Sequence, residues 1–298
     1  MVRKKLIRKA VIDLGTNTFN LLIVDLGDKS FELVHAEKEG VALGMGGIND
    51  GIISPEAFNR GLTSLSRFMD KCKSLGVKEV TAIGTSALRS AANASEFLSA
   101  ALELGIHIEI VTGLREAELI YKGVKWSYNF STPGVIMDIG GGSTEFIFAD
   151  SNGMTDIVSL NVGVSRIYQQ FECSDPVSED DILMIENWLE ERADGFFDGK
   201  NSDLLIGASG SFETFYELIH EEPFPEKVKS VEVPFDELME SLEMIIRSTQ
   251  KDRDKNPFII PIRKKMAPIA AIKTRWVIQK LNVKRVMISP FSLKEGAI

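Results

Sequence analysis

The feature of this sequence that most constrains its fold is a glycine turn between two apolar segments. Residues 136–148 contain three consecutive glycines, Gly140, Gly141 and Gly142, with an apolar run on each side. Apolar runs around a glycine turn predict two antiparallel strands. Because glycine has no Cβ, backbone N–H groups in such a turn can approach an anion, which predicts a phosphate-binding turn. An ordinary tight hairpin is the alternative interpretation.

The polar residues around the glycines favour the phosphate interpretation. Ser143 and Thr144 follow the glycines and supply two hydroxyl donors. Asp138 stands before the turn, and Glu145 follows the hydroxyl pair. Carboxylates at these positions can hold a divalent cation that bridges the protein to a phosphate. The stretch therefore predicts a site for an anion and a metal ion together.

The same pattern occurs a second time near the start of the chain. Residues 12–25 align without a gap on residues 137–150, at an offset of 125 residues, and the acid, the glycine, the polar turn and the apolar return strand all recur. Two unrelated hairpins are the alternative, but their separation by nearly half the chain favours two related domains. The first copy of the turn consists of Gly15, Thr16, Asn17 and Thr18.

Helix and strand patterns alternate after the first hairpin, which predicts an α/β fold. The helices are recognised by apolar residues at helical spacing and by capping residues, and the strands by short apolar runs. In chain order, the predicted elements are a helix from Pro55 to Gly76 capped by Ser54, a strand over residues 80–84, a helix capped by Asn93, a strand over residues 106–111 and a helix after Thr112.

A turn-rich link over residues 125–134 predicts the boundary between the two domains. We therefore expect one domain over residues 1–126 and a second over residues 127–298, with the C-terminal segment packing back on the first. The second domain has its own alternating pattern. Its predicted elements are strands near residues 135–149 and 155–160, a helix over 164–171, a helix capped by Ser178, a strand over 203–206, helices around 235–249 and 262–281, and a strand over 285–288.

Composition excludes several classes of protein. A net charge of −9 argues against a surface that coats nucleic acid. No apolar run approaches the roughly 20 residues of a membrane span, and no apolar segment follows the basic first residues, so we expect a cytoplasmic protein without membrane contact. Cys72 and Cys173 form no Cys-x-x-Cys pair, which argues against structural zinc and a disulfide framework. His107 lies in a strand-like run and is expected to point to solvent or to a sheet face.

A third polar turn follows an apolar strand in the second half of the chain. If the repeat forms two related domains, the first two turns face each other across a cleft and hold one phosphate chain between them. This arrangement resembles the superfold of actin, Hsp70 and the sugar kinases, which does not by itself define a reaction. The residues of the third turn are Gly207, Ser209, Gly210 and Ser211.

Four ordered motifs make the resemblance more specific. Residues 13–18, 85–93, 113–119 and 138–145 occur in the order and approximate spacing of the exopolyphosphatase/guanosine pentaphosphate phosphohydrolase (Ppx/GppA) family. The resemblance covers nearly the whole chain. It implies two actin-like domains and Mg²⁺-dependent removal of terminal phosphate from inorganic polyphosphate or pppGpp. It also implies a short form without the C-terminal helical domain of longer members.

The resemblance assigns roles to individual residues. Glu116 matches the catalytic glutamate that activates water, and its alternative role is to stabilise a helix N-terminus. Asp138 and Glu145 match the acids associated with the metal, and Asp13 is either a third acid from the opposite domain or a turn-capping aspartate. Arg89 matches an arginine at the substrate phosphates, and a surface salt bridge is its alternative.

Several positions depart from the family pattern. Asn20 stands where relatives often have a basic side chain, and Arg115 stands where many have an acid. Arg115 either contacts phosphate or pairs with Glu118. Ser209 and Ser211 vary the Gly-Gly-Thr form of the third turn, which puts a nucleoside contact there in doubt.

A basic cluster near the C-terminus replaces an Arg-x-Asp pattern of the family. It comprises residues 263–265, and with Arg275 it could form a track for a long polyanion. A solvated helix face is the favoured interpretation.

The leading hypothesis is a hydrolase that removes terminal phosphate from polyphosphate, with pppGpp as the alternative substrate. An ATP-dependent kinase or ATPase of the same superfold is a second hypothesis, and a non-catalytic sensor of pppGpp or polyphosphate is a third. The expected partners are thus Mg²⁺ and either polyphosphate or guanosine penta- or tetraphosphate, without nucleic acid. A homodimer is an oligomeric state to be tested.

Overall fold

The computed structural model describes residues 6–27, 30–225 and 229–298, which form two mixed β-sheets with helices. The first sheet has the strand order β3-β2-β1-β4-β5. β1 pairs with β2 and β2 with β3 in antiparallel fashion, whereas β1–β4 and β4–β5 are parallel. Its strands are β1 (Ile7–Leu14), β2 (Phe19–Leu26), β3 (Phe31–Glu39), β4 (Glu79–Gly84) and β5 (Ile108–Ile110).

The second sheet repeats this arrangement. Its order is β10-β11-β9-β6-β7-β8, with β6–β7 and β7–β8 antiparallel and β6–β9 and β9–β11 parallel. Strands β8-β7-β6-β9-β11 therefore correspond to β3-β2-β1-β4-β5, and β10 adds an antiparallel edge. The strands are β6 (Gly134–Ile139), β7 (Thr144–Asp150), β8 (Gly153–Leu160), β9 (Leu204–Ala208), β10 (Val231–Val233) and β11 (Arg285–Ile288). The predicted α/β fold with two actin-like domains is confirmed.

Helices connect the strands at most of the predicted positions. The helix predicted from Pro55 is confirmed, and the Ser54 hydroxyl accepts a hydrogen bond from the backbone N–H of Ala57. Ser178 caps its helix in a reciprocal capping box with Asp181. The helices are α1 (Pro55–Ser74), α2 (Ser86–Ser90), α3 (Ala94–Glu103), α4 (Gly113–Val124), α5 (Val164–Gln170), α6 (Glu179–Ala193), α7 (Gly210–His220), α8 (Phe235–Arg247), α9 (Gln250–Lys255), α10 (Ala267–Leu281) and α11 (Leu293–Gly296).

One local prediction is wrong, and two predicted elements are present but shorter than expected. Asn93 precedes α3 but makes no capping hydrogen bond, because its amide is engaged by the backbone N–H and C=O of Ile53. The strand predicted over residues 106–111 spans only Ile108–Ile110, although His107 is exposed as expected. The helix predicted from residue 262 begins at Ala267 instead, after a stretch of turns.

The end of the chain joins the two halves of the molecule. α4 packs against β7 and β8 of the second sheet, and α11 packs against α4 as well as β1 and β2. The contact of α11 with α4 depends on two glycines, since a Cβ on Gly123 or Gly296 would lie 1.8 Å from a backbone oxygen. Because α4 contacts the second sheet, the division at residue 126 stays a prediction. Among the described helices, none is both long and apolar enough to cross a membrane.

Candidate active site

The two hairpin turns have the same backbone hydrogen bond. The N–H of Gly15 donates to the C=O of Thr18 at 3.0 Å, and the N–H of Gly140 donates to the C=O of Ser143 at 3.0 Å. A Cβ on Gly15 would lie 2.8 Å from the Thr18 oxygen, and one on Gly140 would lie 2.9 Å from the Ser143 oxygen. Both positions therefore require glycine because the turn closes too tightly for a side chain.

The carbonyl groups of both turns accept hydrogen bonds from other segments of the backbone. In the first turn, the N–H groups of Ala42 and Gly44 donate to the carbonyls of Asn17 and Thr16, at 2.8 and 3.0 Å. In the second, N–H groups of residues 163–165 donate to the carbonyls of residues 140–142. The carbonyl groups of residues 16, 17 and 140–142 therefore already have donors within the protein.

The N–H groups of the turns are left without protein partners. Within residues 6–27, 30–225 and 229–298, no protein acceptor bonds the backbone N–H groups of residues 16–18 or 141–143. Successive backbone N–H groups that face one side form an anion-binding concavity. Each turn thus offers donors suited to a phosphate group.

The two turns touch each other, so the cleft is closed. A Cβ on Gly141 would lie 2.9 Å from the Thr16 Cβ and 2.8 Å from the Asn17 Cγ. The side chains of the first turn therefore occupy the space that the glycines of the second turn leave free. The Ser165 hydroxyl also donates to the Asn17 side-chain oxygen at 2.5 Å, which adds a hydrogen bond across the cleft.

Arg166 of α5 reinforces this closure from the side. Its guanidinium donates to the C=O of Gly142 at 2.8 Å, to the C=O of Ile48 at 3.0 Å and to the Ser90 hydroxyl at 2.7 Å. One side chain of the second half thus binds the second turn and two segments of the first half. No sequence pattern indicated Arg166, because its partners are distant in the sequence.

A cavity of about 170 Å³ lies at the closed cleft. Both turns line it, together with carboxylates from each half and the junction between β9 and α7. Of the predicted site residues, Arg89, Thr144, Glu145 and Gly207 do not line the cavity. Those that do are Asp13, Gly15, Thr16, Asn17, Thr18, Glu116, Asp138, Gly140, Gly141, Gly142, Ser143, Ser209, Gly210 and Ser211.

Glu116 reaches the cavity from the first turn of α4. Thr112 caps this helix, its hydroxyl accepting from the N–H of Arg115 at 3.2 Å. The Glu116 carboxylate is buried and accepts a hydrogen bond from the Arg89 guanidinium at 2.9 Å. Burial and then the charge of Glu145 raise the pKa of Glu116 well above its usual range, against the opposing effect of Arg89. Arg89 thus contacts the catalytic candidate but does not itself line the cavity.

Two of the predicted metal acids, one from each hairpin, line the cavity. Asp13 accepts a hydrogen bond from the Asn20 amide at 2.9 Å, and Asp138 accepts one from the Ser292 hydroxyl. Glu145 is the cross-strand neighbour of Asp138 but does not line the cavity, and it accepts a hydrogen bond from the Ser159 hydroxyl at 2.6 Å.

The acidic residues suit a divalent cation electrostatically. Burial raises the pKa of Asp13 to about 6, and it raises the pKa of Asp138 and of Glu145, with the charge of Asp138 adding to the shift of Glu145. Burial therefore disfavours the ionised form of these acids, and a bound cation would favour it. Among the described residues, no three His, Cys, Asp or Glu side chains form a metal site by themselves. Mg²⁺ does not require one, since it takes one or two carboxylates plus water and substrate oxygens.

The third predicted turn is a strand-to-helix junction. Gly207 belongs to β9, and Gly210 begins α7. Ser209 between them has a φ of +80°, a conformation that favours glycine. A Cβ on Gly210 would lie 1.5 Å from a guanidinium nitrogen of Arg263, so this arginine lies directly on the junction.

Arg263 is not part of a solvated helix face, which corrects the favoured interpretation of the basic cluster. It donates to Thr214 at 2.8 Å and pairs with Glu213 at 3.2 Å, and Glu213 also pairs with Lys38 at 3.1 Å. Lys38 and Arg263 belong to opposite halves of the molecule, and both line the cavity with Lys294. After burial, which opposes the shift, the charges of Lys38 and Arg263 lower the pKa of Glu213 to about 2.

The other basic residues singled out in the sequence lie away from the cavity. Arg275 pairs with Glu186 and Glu243, so it does not extend a basic track from Arg263. Arg115 pairs with Glu118 at 2.7 Å on the exposed side of α4. This pairing leaves Glu116 as the residue of that turn that faces the cavity.

A buried lysine beneath the second turn was not predicted. Lys273 of α10 is 1% exposed, and its ammonium donates to the Thr144 hydroxyl at 2.5 Å and to the C=O of Val162. Burial lowers the pKa of Lys273 to about 7, and the charge of Glu145 opposes this shift. The sequence around Lys273 shows an apolar helix pattern, which did not indicate contacts of the ammonium with the second turn.

The two related halves, with a cavity that both hairpin turns line, place the protein in the actin-like α/β class. Comparison with known proteins is more specific. The chain belongs to the Ppx/GppA phosphatase family, whose model matches residues 22–298. Family membership supports a hydrolase.

Solved structures agree with this assignment. The chain is similar to an exopolyphosphatase from Cytophaga hutchinsonii, with a TM-score of 0.92 and 33% identity over 97% of this chain and 96% of that one. It also resembles the Ppx/GppA enzyme of Aquifex aeolicus, with a TM-score of 0.82 and 23% identity over 98% of each chain. At that identity, the second similarity concerns the fold alone.

Proposed function

We propose that this protein is an exopolyphosphatase, which hydrolyses the terminal phosphoanhydride bond of inorganic polyphosphate. The observation that carries the proposal is the pair of facing turns whose N–H groups, over residues 16–18 and 141–143, have no protein acceptor in the described part of the chain. Backbone donors held in place before substrate binds stabilise charge on a transferring phosphoryl group without reorganisation.

Glu116 is the general base in this proposal. It orients a water molecule and accepts its proton while the water oxygen forms a bond to the terminal phosphorus. The bond from that phosphorus to the bridging oxygen breaks, and the shortened chain leaves with the negative charge. The raised pKa of Glu116 favours proton transfer, and the hydrogen bond from Arg89 fixes the carboxylate.

The acids of the site are the proposed holders of Mg²⁺. Asp138 and Glu145 belong to the second hairpin, and Asp13 supplies a third acid from the opposite wall. Bound Mg²⁺ would neutralise charge on the phosphoryl oxygens.

Polyphosphate is favoured over pppGpp by the basic side chains that line the cavity. Lys38, Arg263 and Lys294 line it, and Glu213 pairs with both Lys38 and Arg263, so this trio keeps positive charge. Arg263 also lies on the junction at Gly210 where a nucleoside contact was considered. Cations in the same cavity as the phosphate-binding turns suit a ligand that is charged along its whole length. The uncharged guanosine moiety would gain less from them.

The test compares phosphate release from polyphosphate and from pppGpp, with and without Mg²⁺. Glu116→Gln is expected to lower the rate by about 10²–10⁴, the usual contribution of a general base. Glu118→Gln is the matched control, because Glu118 lies in the same helix but is exposed and paired with Arg115. Its rate should stay close to that of the wild type.

Each hypothesis has a distinct outcome. Undiminished release by Glu116→Gln would reject the proposed base, and faster release from pppGpp would reject the proposed substrate. Tight binding without release would indicate a sensor. Transfer of phosphate from ATP to an acceptor would indicate a kinase.

A further inference from the structure

Ser86 is a buried residue of the cavity wall that has no role in the reaction proposed above. It is the first residue of α2, directly after β4, and it is 2% exposed. It lines the cavity, yet its hydroxyl has no hydrogen-bond partner among the described protein atoms. A buried hydroxyl without a partner is unfavourable, because its hydrogen bonds to water are lost on folding and not replaced.

The position of this hydroxyl is set by both halves of the molecule. A Cβ on Gly142 would lie 2.4 Å from the Ser86 Oγ and 2.7 Å from the Thr16 Oγ1. The Ser86 hydroxyl is therefore adjacent to the second turn, at the place where the first turn also meets it. A third segment of the chain thus reaches the contact between the two turns.

The local fold does not explain why position 86 carries a residue with a hydroxyl group. Serine hydroxyls within helices often bond the carbonyl one turn earlier, but the residues before Ser86 belong to β4 and to Thr85. Thr85 makes its own contact, its hydroxyl donating to the C=O of Leu14 at 3.3 Å. Alanine at position 86 would fill nearly the same space without leaving an unbonded hydroxyl.

We infer that Ser86 is a substrate-binding residue, whose Oγ–H donates to a non-bridging oxygen of the terminal phosphoryl group. This inference rests on the proposed function, since it requires a phosphate in the cavity that both turns line. A phosphate oxygen is an acceptor, and the hydroxyl supplies the donor that it lacks in the free protein. Ser86 adds a side-chain donor to the backbone donors of the turns.

Two serine variants test the inference. Ser86→Ala and Ser241→Ala each remove a buried hydroxyl without a protein partner, but Ser241 lies in α8 and does not line the cavity. Both are made in the Glu116→Gln background, so that substrate is not consumed. Calorimetry then measures binding of tripolyphosphate, and thermal unfolding is followed with and without this ligand.

Ser86→Ala is expected to weaken tripolyphosphate binding about tenfold or more, the loss typical of one hydrogen bond to a charged oxygen. Its melting temperature without ligand should equal or exceed that of the parent, whereas its ligand-induced rise should be smaller. Ser241→Ala should leave the affinity unchanged. A merely structural role for Ser86 would instead lower the melting temperature without ligand and leave the affinity unchanged.

The outcomes separate this inference from the proposed function. Equal affinities of the parent and Ser86→Ala, where both bind, would overturn the role of Ser86 and leave the exopolyphosphatase proposal intact. Absence of binding by the parent and of phosphate release by the wild type would overturn both. If Ser86→Ala fails to fold, Ser86→Cys supplies the comparison, because its thiol is a weak donor of similar shape. Unchanged affinity of that variant would count equally against the inference.

Discussion

The first and second hairpins have matching backbone hydrogen bonds but differ in charge. In the first, Asp13 lies opposite Asn20, whose amide donates to it at 2.9 Å. In the second, Asp138 lies opposite Glu145, so an acid is paired with an acid. Cross-strand partners have neighbouring side chains, and two like charges there are destabilising unless a cation compensates them.

This difference indicates that the two hairpins contribute differently to metal binding. The first hairpin has less need of an added cation, because the Asn20 amide already donates a hydrogen bond to its aspartate. The second has more negative charge, and a buried lysine, Lys273, is the protein cation beneath its turn. We therefore expect both turns to bind phosphate, and we expect the second hairpin to contribute more to the metal site.

The largest effect should come from neutralising the aspartates one at a time. Asp138→Asn is expected to lower kcat/KM by about 100-fold, the upper end of what loss of a residue supporting a metal costs. The matched change Asp13→Asn should cost about tenfold, the lower end of that range. The measurement is the rate of phosphate release from polyphosphate as the Mg²⁺ concentration is varied.

The Mg²⁺ titration separates metal binding from damage to the fold. The half-maximal Mg²⁺ concentration should rise more for Asp138→Asn than for Asp13→Asn, while circular dichroism spectra stay unchanged. Equal shifts in the two variants would show that the hairpins share the metal equally, which would contradict the division inferred from Asn20 and Glu145.

A smaller effect is expected from filling the glycine-lined space of the second turn. In Gly142→Ala the new Cβ would approach the hydroxyls of Ser86 and Thr16 to 2.4 and 2.7 Å, so the turns must separate. We expect a decrease in kcat/KM of about 30-fold, since the Ser86 and Thr16 side chains must also shift and a 1 Å displacement of substrate-binding groups can cost 10²-fold. Asn17→Ala, at the equivalent position of the first turn, removes atoms instead and should cost only a few-fold.

Small-angle scattering provides a second measurement for this pair. Gly142→Ala should have a larger radius of gyration in the presence of tripolyphosphate than the wild type, because its cleft cannot close fully. A variant that closes normally and keeps wild-type activity would show that the contact between the turns is not needed for function.

Features encoded by neighbouring residues were predictable from the sequence. Apolar residues at helical spacing predict α1, and the offset of 125 residues predicts two hairpins in the same register. The motif at residues 113–119 predicts a helix that carries Glu116, which the structure places at the cavity. These signals are local, because each depends on a periodic pattern or on a turn of a few residues.

Features that depend on distant residues were not predictable. Arg263 pairs with Glu213, 50 positions away, and three adjacent basic residues alone indicate only a solvated surface. Asn93 has the right residue type and spacing for a helix cap, but the backbone of Ile53 engages its amide from 40 positions away. In both cases a tertiary contact replaces the local preference on which the prediction was based.

The buried lysine allows the comparison of the hairpins to be tested by pH. Lys273 bonds Thr144 of the second hairpin, whereas the equivalent residue of the first is the buried Phe19. Burial lowers the pKa of Lys273 to about 7 from the 10.5 of an exposed lysine, so between these values the unfolded chain binds the proton more tightly than the folded protein. Stability therefore gains a contribution from Lys273 that increases as pH rises from about 7 towards 10.5, with a slope of at most about 1.4 kcal/mol per pH unit.

Lys273→Met should remove this contribution to stability. It should change kcat/KM less than threefold, because Lys273 lies outside the cavity. That is a smaller loss than the roughly 10-fold typical of groups that support a metal. The free energy of unfolding, measured by urea titration without Mg²⁺, should thus rise with pH more steeply in the wild type than in the variant. Lys280→Met on the same helix is the control, because Lys280 lies near the surface and pairs with Glu190. Parallel pH profiles for wild type and Lys273→Met would show that the ammonium is not held in the buried environment described above. The second hairpin would then lack the cation that distinguishes it from the first.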